Sequence, residues 1–126
     1  MRILVADDEP FVLDLIAMVL KDAGHSVQGV GDGRQALSLL RKEAFDLLIT
    51  DLSMPHLDGL ALAKEVKSES PDVKVVLLTG YGNEGALPPN IDYLLAKPLR
   101  MEALTGLIQS VGQPVLVPDE IVTLKK

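Results

Sequence analysis

Ile3-Leu4-Val5-Ala6-Asp7-Asp8-Glu9-Pro10 is the stretch that decides the reading of this chain. Four consecutive apolar residues suit a short strand buried on both faces, and three acids end it abruptly. Pro10 then suits the first turn of a helix, where its missing N–H costs little. Val12, Leu15, Ile16, Val19 and Leu20 follow at helical spacing, and Gly24 is a stop. An apolar strand, an acidic turn and an amphipathic helix thus occupy the first 24 residues.

The same unit recurs down the chain. Residues 26–30 form a second, weaker strand, Gly31-Asp32-Gly33 is a turn, and Ala36, Leu39 and Leu40 mark one face of a helix. Phe45 to Thr50 is a third strand, followed by a loop with Pro55, Asp58 and Gly59 and a helix using Leu62 and Val66. Val73 to Leu78 and Ile91 to Leu95 are the fourth and fifth strands. A last helix from about Leu99 is expected to bury Met101, Leu104, Ile108 and Val111. Apolar strands alternating with helices predict an α/β fold with a doubly wound parallel sheet. The flavodoxin-like order 2-1-3-4-5 is one of two common solutions, and periodicity does not choose between them.

A chain of 126 residues is about one domain. Its composition is 48% apolar but only 3% aromatic, so the core must be aliphatic. Cysteine is absent, which excludes a disulfide framework and a thiolate metal site and fits a cytoplasmic location. Eighteen acids against 12 bases leave a net charge of −6, which disfavours direct nucleic-acid binding. No stretch has the length of a membrane span, and the amino terminus reaches acids too early for a signal-peptide core.

Ligands of doubly wound sheets bind at the carboxyl ends of the strands. Here those ends carry Asp7-Asp8-Glu9, Asp51, Thr79-Gly80 and Lys97-Pro98. In order 2-1-3-4-5 they converge on one cleft. Two carboxylates 4 Å apart repel by ~4 kcal/mol at an effective dielectric of about 20, and a hard cation such as Mg²⁺ relieves that. A carboxylate can attack phosphorus to give an acyl phosphate, with the metal and a lysine stabilising the phosphoryl oxygens. The parts of a phosphoryl-accepting site are present.

Four stretches together are similar to the motifs of response regulator receiver domains: Leu4 to Pro10, Ile49 to Pro55 with Asp58-Gly59, Leu77 to Gly80, and Ala96-Lys97-Pro98. The resemblance covers residues 1–112. It implies that Asp51 accepts a phosphoryl group from a phosphohistidine on a sensor histidine kinase or phosphotransfer protein. It also implies Asp8 as a direct Mg²⁺ ligand and Asp7 as one acting mainly through water. Asp51 and the Ser53 backbone carbonyl complete the ligand set. Thr79 follows the phosphoryl oxygens, Lys97 pairs with carboxylate or phosphate, and the Lys97–Pro98 bond is cis. The family is a signalling phosphoacceptor rather than an enzyme in the ordinary sense, and it acts by altering a surface read by a downstream protein.

Singly, each residue has a plainer reading. Asp7 and Asp8 suit helix capping, Glu9 suits helix-start charge, Asp51 and Thr79 suit turns, and Lys97 suits solvent. Coincidence at four strand ends is what the plain readings would require. His25 and His56 lack a second histidine at ligand spacing and read as surface residues. Ser53 stands where haloacid-dehalogenase-type phosphatases carry a second acid. A flavodoxin-like cofactor binder would need a phosphate cradle where Asp7-Asp8-Glu9-Pro10 stands. A pseudo-receiver would lack an acid, the threonine or the lysine.

Two features depart from the family pattern. Leu94 occupies the position, three before the lysine, where receivers usually have an aromatic switch residue; Tyr93 precedes it and should point to the opposite face. Pro88-Pro89 predicts that the helix between the fourth and fifth strands is shortened or missing. Both resemble receivers attached to hybrid histidine kinases. Residues 113–126, with Val115-Leu116-Val117 between prolines, read as a carboxy-terminal tail or linker, or alternatively as an extra strand or docking segment.

Overall fold

A computed structural model describes residues 1–80 and 87–112. The elements run β1 (Arg2–Ala6), α1 (Pro10–Asp22), β2 (Ser26–Val30), α2 (Gly33–Lys42), β3 (Leu47–Asp51), α3 (Gly59–Glu69), β4 (Lys74–Thr79), β5 (Tyr93–Ala96) and α4 (Met101–Gly112). All strands pair in parallel in the order β2-β1-β3-β4-β5, the flavodoxin-like solution.

Side chains alternate faces along each strand, so every central strand feeds two cores. Ile3 and Val5 of β1, Leu47 and Ile49 of β3, and Val76 and Leu78 of β4 pack against Ile16, Val19 and Leu20 of α1 and Leu104 and Ile108 of α4. Leu4, Ala6, Leu48, Val75 and Leu77 face the other way, onto Ala36 of α2 and Leu62, Ala63 and Val66 of α3. Tyr93 joins the α1/α4 core and Leu94 the α2/α3 core, so the two point oppositely as expected.

The helix ends follow from local chemistry. Pro10 is the first residue of α1, and Gly24 with φ 97° lets His25 N–H reach Leu20 O and Gly24 N–H reach Lys21 O. Asp32 and Asp58 cap α2 and α3 by accepting from Gln35 N and Ala61 N, each at 2.8 Å.

Some boundaries differ from the sequence expectation. Ile91 is buried but lies outside β5, because Asp92 closes onto β4 first. Its N–H donates to Val75 O, and its carboxylate accepts from Val75 N while pairing with Lys67 at 2.7 Å. Met101 is not buried: α4 begins there, two residues after Leu99, and the side chain is 49% exposed on the first turn. Residues 87–92 hold a turn at Pro89–Asn90 and no helix. The rest of the β4–β5 connection, residues 81–86, and the expected tail 113–126 lie outside the described residues.

Candidate functional site

Parallel pairing brings the carboxyl ends of β1, β3, β4 and β5 to one edge. Asp7 directly follows β1, with its N–H donating to the carbonyl of Val30, the last residue of β2. Asp51 is the last residue of β3 and lies opposite Leu78 on β4; Thr79 ends β4 and pairs with Ala96 of β5. Lys97 follows β5, and its N–H donates to Thr79 O at 2.8 Å. The Lys97–Pro98 bond is cis.

Carboxylate oxygens of Asp7, Asp8 and Asp51 all lie within 4.8 Å of one another. Asp7 is fully buried, Asp51 nearly so, and Asp8 exposed. The Lys97 ammonium stands 3.1 Å from Asp51 Oδ1, 3.3 Å from Asp7 Oδ2 and 3.6 Å from Glu9 Oε1. Asp7 Oδ1 accepts from Glu9 N at 2.9 Å, but Oδ2 has no hydrogen-bond partner. A buried carboxylate oxygen whose one contact is the Lys97 ammonium is an acceptor with capacity left unused. Burial, and then the negative charge of Asp51, raise the Asp7 pKa above 3.8; the Glu9 N–H and Lys97 oppose this without cancelling it. Burial alone would lower the Lys97 pKa, but contact with Asp51 and the charge of Asp7 outweigh it and leave it above 10.5.

The capping reading of Asp7 and Asp8 gives way here. Glu9 is the N-cap residue of α1, and Asp7 bonds to Glu9 N ahead of the helix. Ser53 is exposed in the loop two residues after Asp51. His56 is exposed with φ 71°, while His25 is half-buried with Nδ1 3.0 Å from the N-terminal amine, so it is less of a surface residue than its sequence context suggests.

Three residues quoted within the sequence motifs have roles that the sequence did not show. Thr50 is buried and donates to the Asp51 carbonyl at 3.0 Å. Gly59 supports that same carbonyl: a Cβ there would collide with Asp51 O, and the Asp58-Gly59 pair was its visible signal. Glu9 reads as helix-start charge, yet its carboxylate turns to Lys97.

The response regulator receiver domain family matches residues 3–109. The response regulator receiver protein CpdR of Brucella abortus is 32% identical over 112 residues, which cover 86% of this chain and 93% of CpdR. Transcriptional regulatory protein ZraR of Escherichia coli is 33% identical, and the match covers 85% of this chain but only 25% of ZraR. Chemotaxis response regulator CheY4 of Vibrio cholerae superposes with a TM-score of 0.79 at 28% identity, covering 87% of this chain and 97% of CheY4. The receiver domain from hybrid histidine kinase CckA gives 0.78 at 29% identity, covering 90% and 100%. Among the described residues, no helix is long and apolar enough to cross a membrane. With its Asp triad at the carboxyl edge of a five-stranded parallel sheet, the chain belongs to the response regulator receiver domain family, whose members are signalling phosphoacceptors phosphorylated by histidine kinases rather than conventional enzymes.

Proposed function

We propose that Asp51 accepts a phosphoryl group from a kinase or phosphotransfer-protein phosphohistidine in a Mg²⁺-dependent reaction. The observation that carries this reading is the placement of Asp51. Its carboxylate shares a 4.8 Å cluster with Asp7 and Asp8 and touches Lys97. In the transfer, an Asp51 carboxylate oxygen bonds to phosphorus as the donor P–N bond breaks; the electron pair leaves with the imidazole, which then takes up a proton.

The residues present fit a hard divalent cation. Oxygen donors crowd together, and buried Asp7 Oδ2 lacks a hydrogen-bond partner. Asp8 and Asp51 would hold Mg²⁺ directly, Asp7 mainly through water, and the Ser53 carbonyl would complete the protein set. Bound there, the metal supplies positive charge for the phosphoryl oxygens. Lys97, 3.1 Å from Asp51 Oδ1, supplies a second positive charge. Thr79, one residue beyond the Leu78 that pairs with Asp51, donates a hydroxyl hydrogen bond to the phosphoryl group and thereby reports the change of state.

Residues 1–112 form the receiver and 113–126 a tail or linker, in a cytoplasmic protein whose phosphorylation alters a surface for a downstream protein. Incubation with acetyl phosphate and Mg²⁺, read by intact mass, tests the chemistry. One added phosphoryl group is expected, lost with EDTA and in Asp51→Ala. A phosphoryl group retained on Asp51→Ala would remove Asp51 as the acceptor.

A further inference from the structure

Asp32 and Asp58 each cap their helix by bonding the N–H three residues on. Glu9 holds the same position on α1, but its side chain makes no cap bond. Val12 N and Leu13 N both go to the Glu9 backbone carbonyl, at 3.1 Å, and Pro10 has no N–H to offer. Glutamate is also outside the residues favoured at N-caps. The extra methylene instead carries its carboxylate to 3.6 Å from Lys97 Nζ, while the side chain remains 64% exposed.

From this geometry we infer that Glu9 is a positioning residue that holds Lys97 in the unphosphorylated state and competes with the incoming phosphoryl group for it. Among the described residues, Lys97 is the only cation paired with Asp7 or Asp51. Asp7 is buried on one side of it and Asp51 is the acceptor. Glu9 is the solvent-side member of the trio. A phosphoryl group arriving from solvent meets the Glu9 charge and must draw Lys97 away from it. Glu9 therefore slows phosphorylation and favours the unphosphorylated form. The inference rests on the phosphoacceptor reading of Asp51.

The test compares wild type, Glu9→Gln and Glu9→Asp for second-order phosphorylation by acetyl phosphate with saturating Mg²⁺, at low and high salt, by intact mass. In that reaction the donor P–O(acyl) bond breaks, the Asp51 O–P bond forms, and acetate leaves with the electron pair. Glu9→Gln should react about two- to five-fold faster, the scale of an exposed ion pair, and the gain should shrink at high salt. Glu9→Asp keeps the charge but is too short to reach Lys97, and like Asp32 and Asp58 it can turn back to the helix; it should match Glu9→Gln. If Glu9→Asp behaves as wild type while Glu9→Gln is faster, general surface charge accounts for the effect and the Lys97 role is overturned. Equal rates for all three also overturn it. If the wild type itself gains no phosphoryl group, the phosphoacceptor reading fails first, so the two failures are distinguishable.

Discussion

Replacing Lys97 with methionine keeps most of the stem and removes the charge that separates the carboxylates. At an effective dielectric of about 20, the contacts at 3.1 and 3.3 Å are each worth ~5 kcal/mol before desolvation. Desolvation of the ammonium offsets much of that, and removing one partner of a buried pair typically costs about 3–5 kcal/mol. The Lys97 side chain is 22% exposed, so solvent screening brings the cost to the bottom of that range or just below it, about 2–3 kcal/mol. Urea unfolding in EDTA at pH 7 measures it directly. The deficit should also depend on pH in a defined direction. Because the Asp7 pKa is raised, its contribution to stability is fully present below 3.8 and is lost as pH climbs through the folded value. Without Lys97 that folded value rises further, so the variant recovers stability relative to wild type as pH falls from 7 toward 4. Lys97, with its pKa raised above 10.5, stays charged throughout this window. An unchanged unfolding free energy at pH 7, or a deficit of the same size at pH 4.5, would refute the reasoning.

Mg²⁺ should stabilise the wild-type protein by about 2.7 kcal/mol at a hundred times its dissociation constant. Asp8→Ala should lose at least about ten-fold in affinity, since losing even a residue that only orients a metal ligand costs about that much; an unchanged calorimetric titration removes Asp8 from the ligand set. Gly59→Ala forces a Cβ against the Asp51 carbonyl, and urea unfolding should show a loss of about 1–3 kcal/mol. A neutral result would mean that the β3–α3 loop yields freely.

The fold was legible because every strand but β2 is largely an apolar run, and because Pro10, Asp32 and Asp58 mark the starts of α1, α2 and α3. Periodicity left the strand order open; the receiver motifs implied the order that the sheet adopts. What escaped the sequence were effects of tertiary contact. Ile91 reads as strand, but the Asp92 carboxylate occupies the Val75 N–H and delays the ladder. Met101 fits the apolar face of the last helix, but it falls on the first turn, outside the packed face. In the site, Asp7, Asp51 and Lys97 were visible as residues ending strands. The roles of Gly59 and Glu9 were not, because one is defined by space that a side chain would fill and the other by reach across two loops.

The central claim is that the phosphoryl group resides on Asp51, and borohydride trapping tests it most directly. Reduction of an aspartyl phosphate converts that residue to homoserine, and peptide mass spectrometry then reports the position. After treatment with acetyl phosphate and Mg²⁺, the account predicts homoserine at position 51 and at no other aspartate. Homoserine at Asp7 or Asp8 instead, or none in protein that has gained a phosphoryl mass, would contradict it.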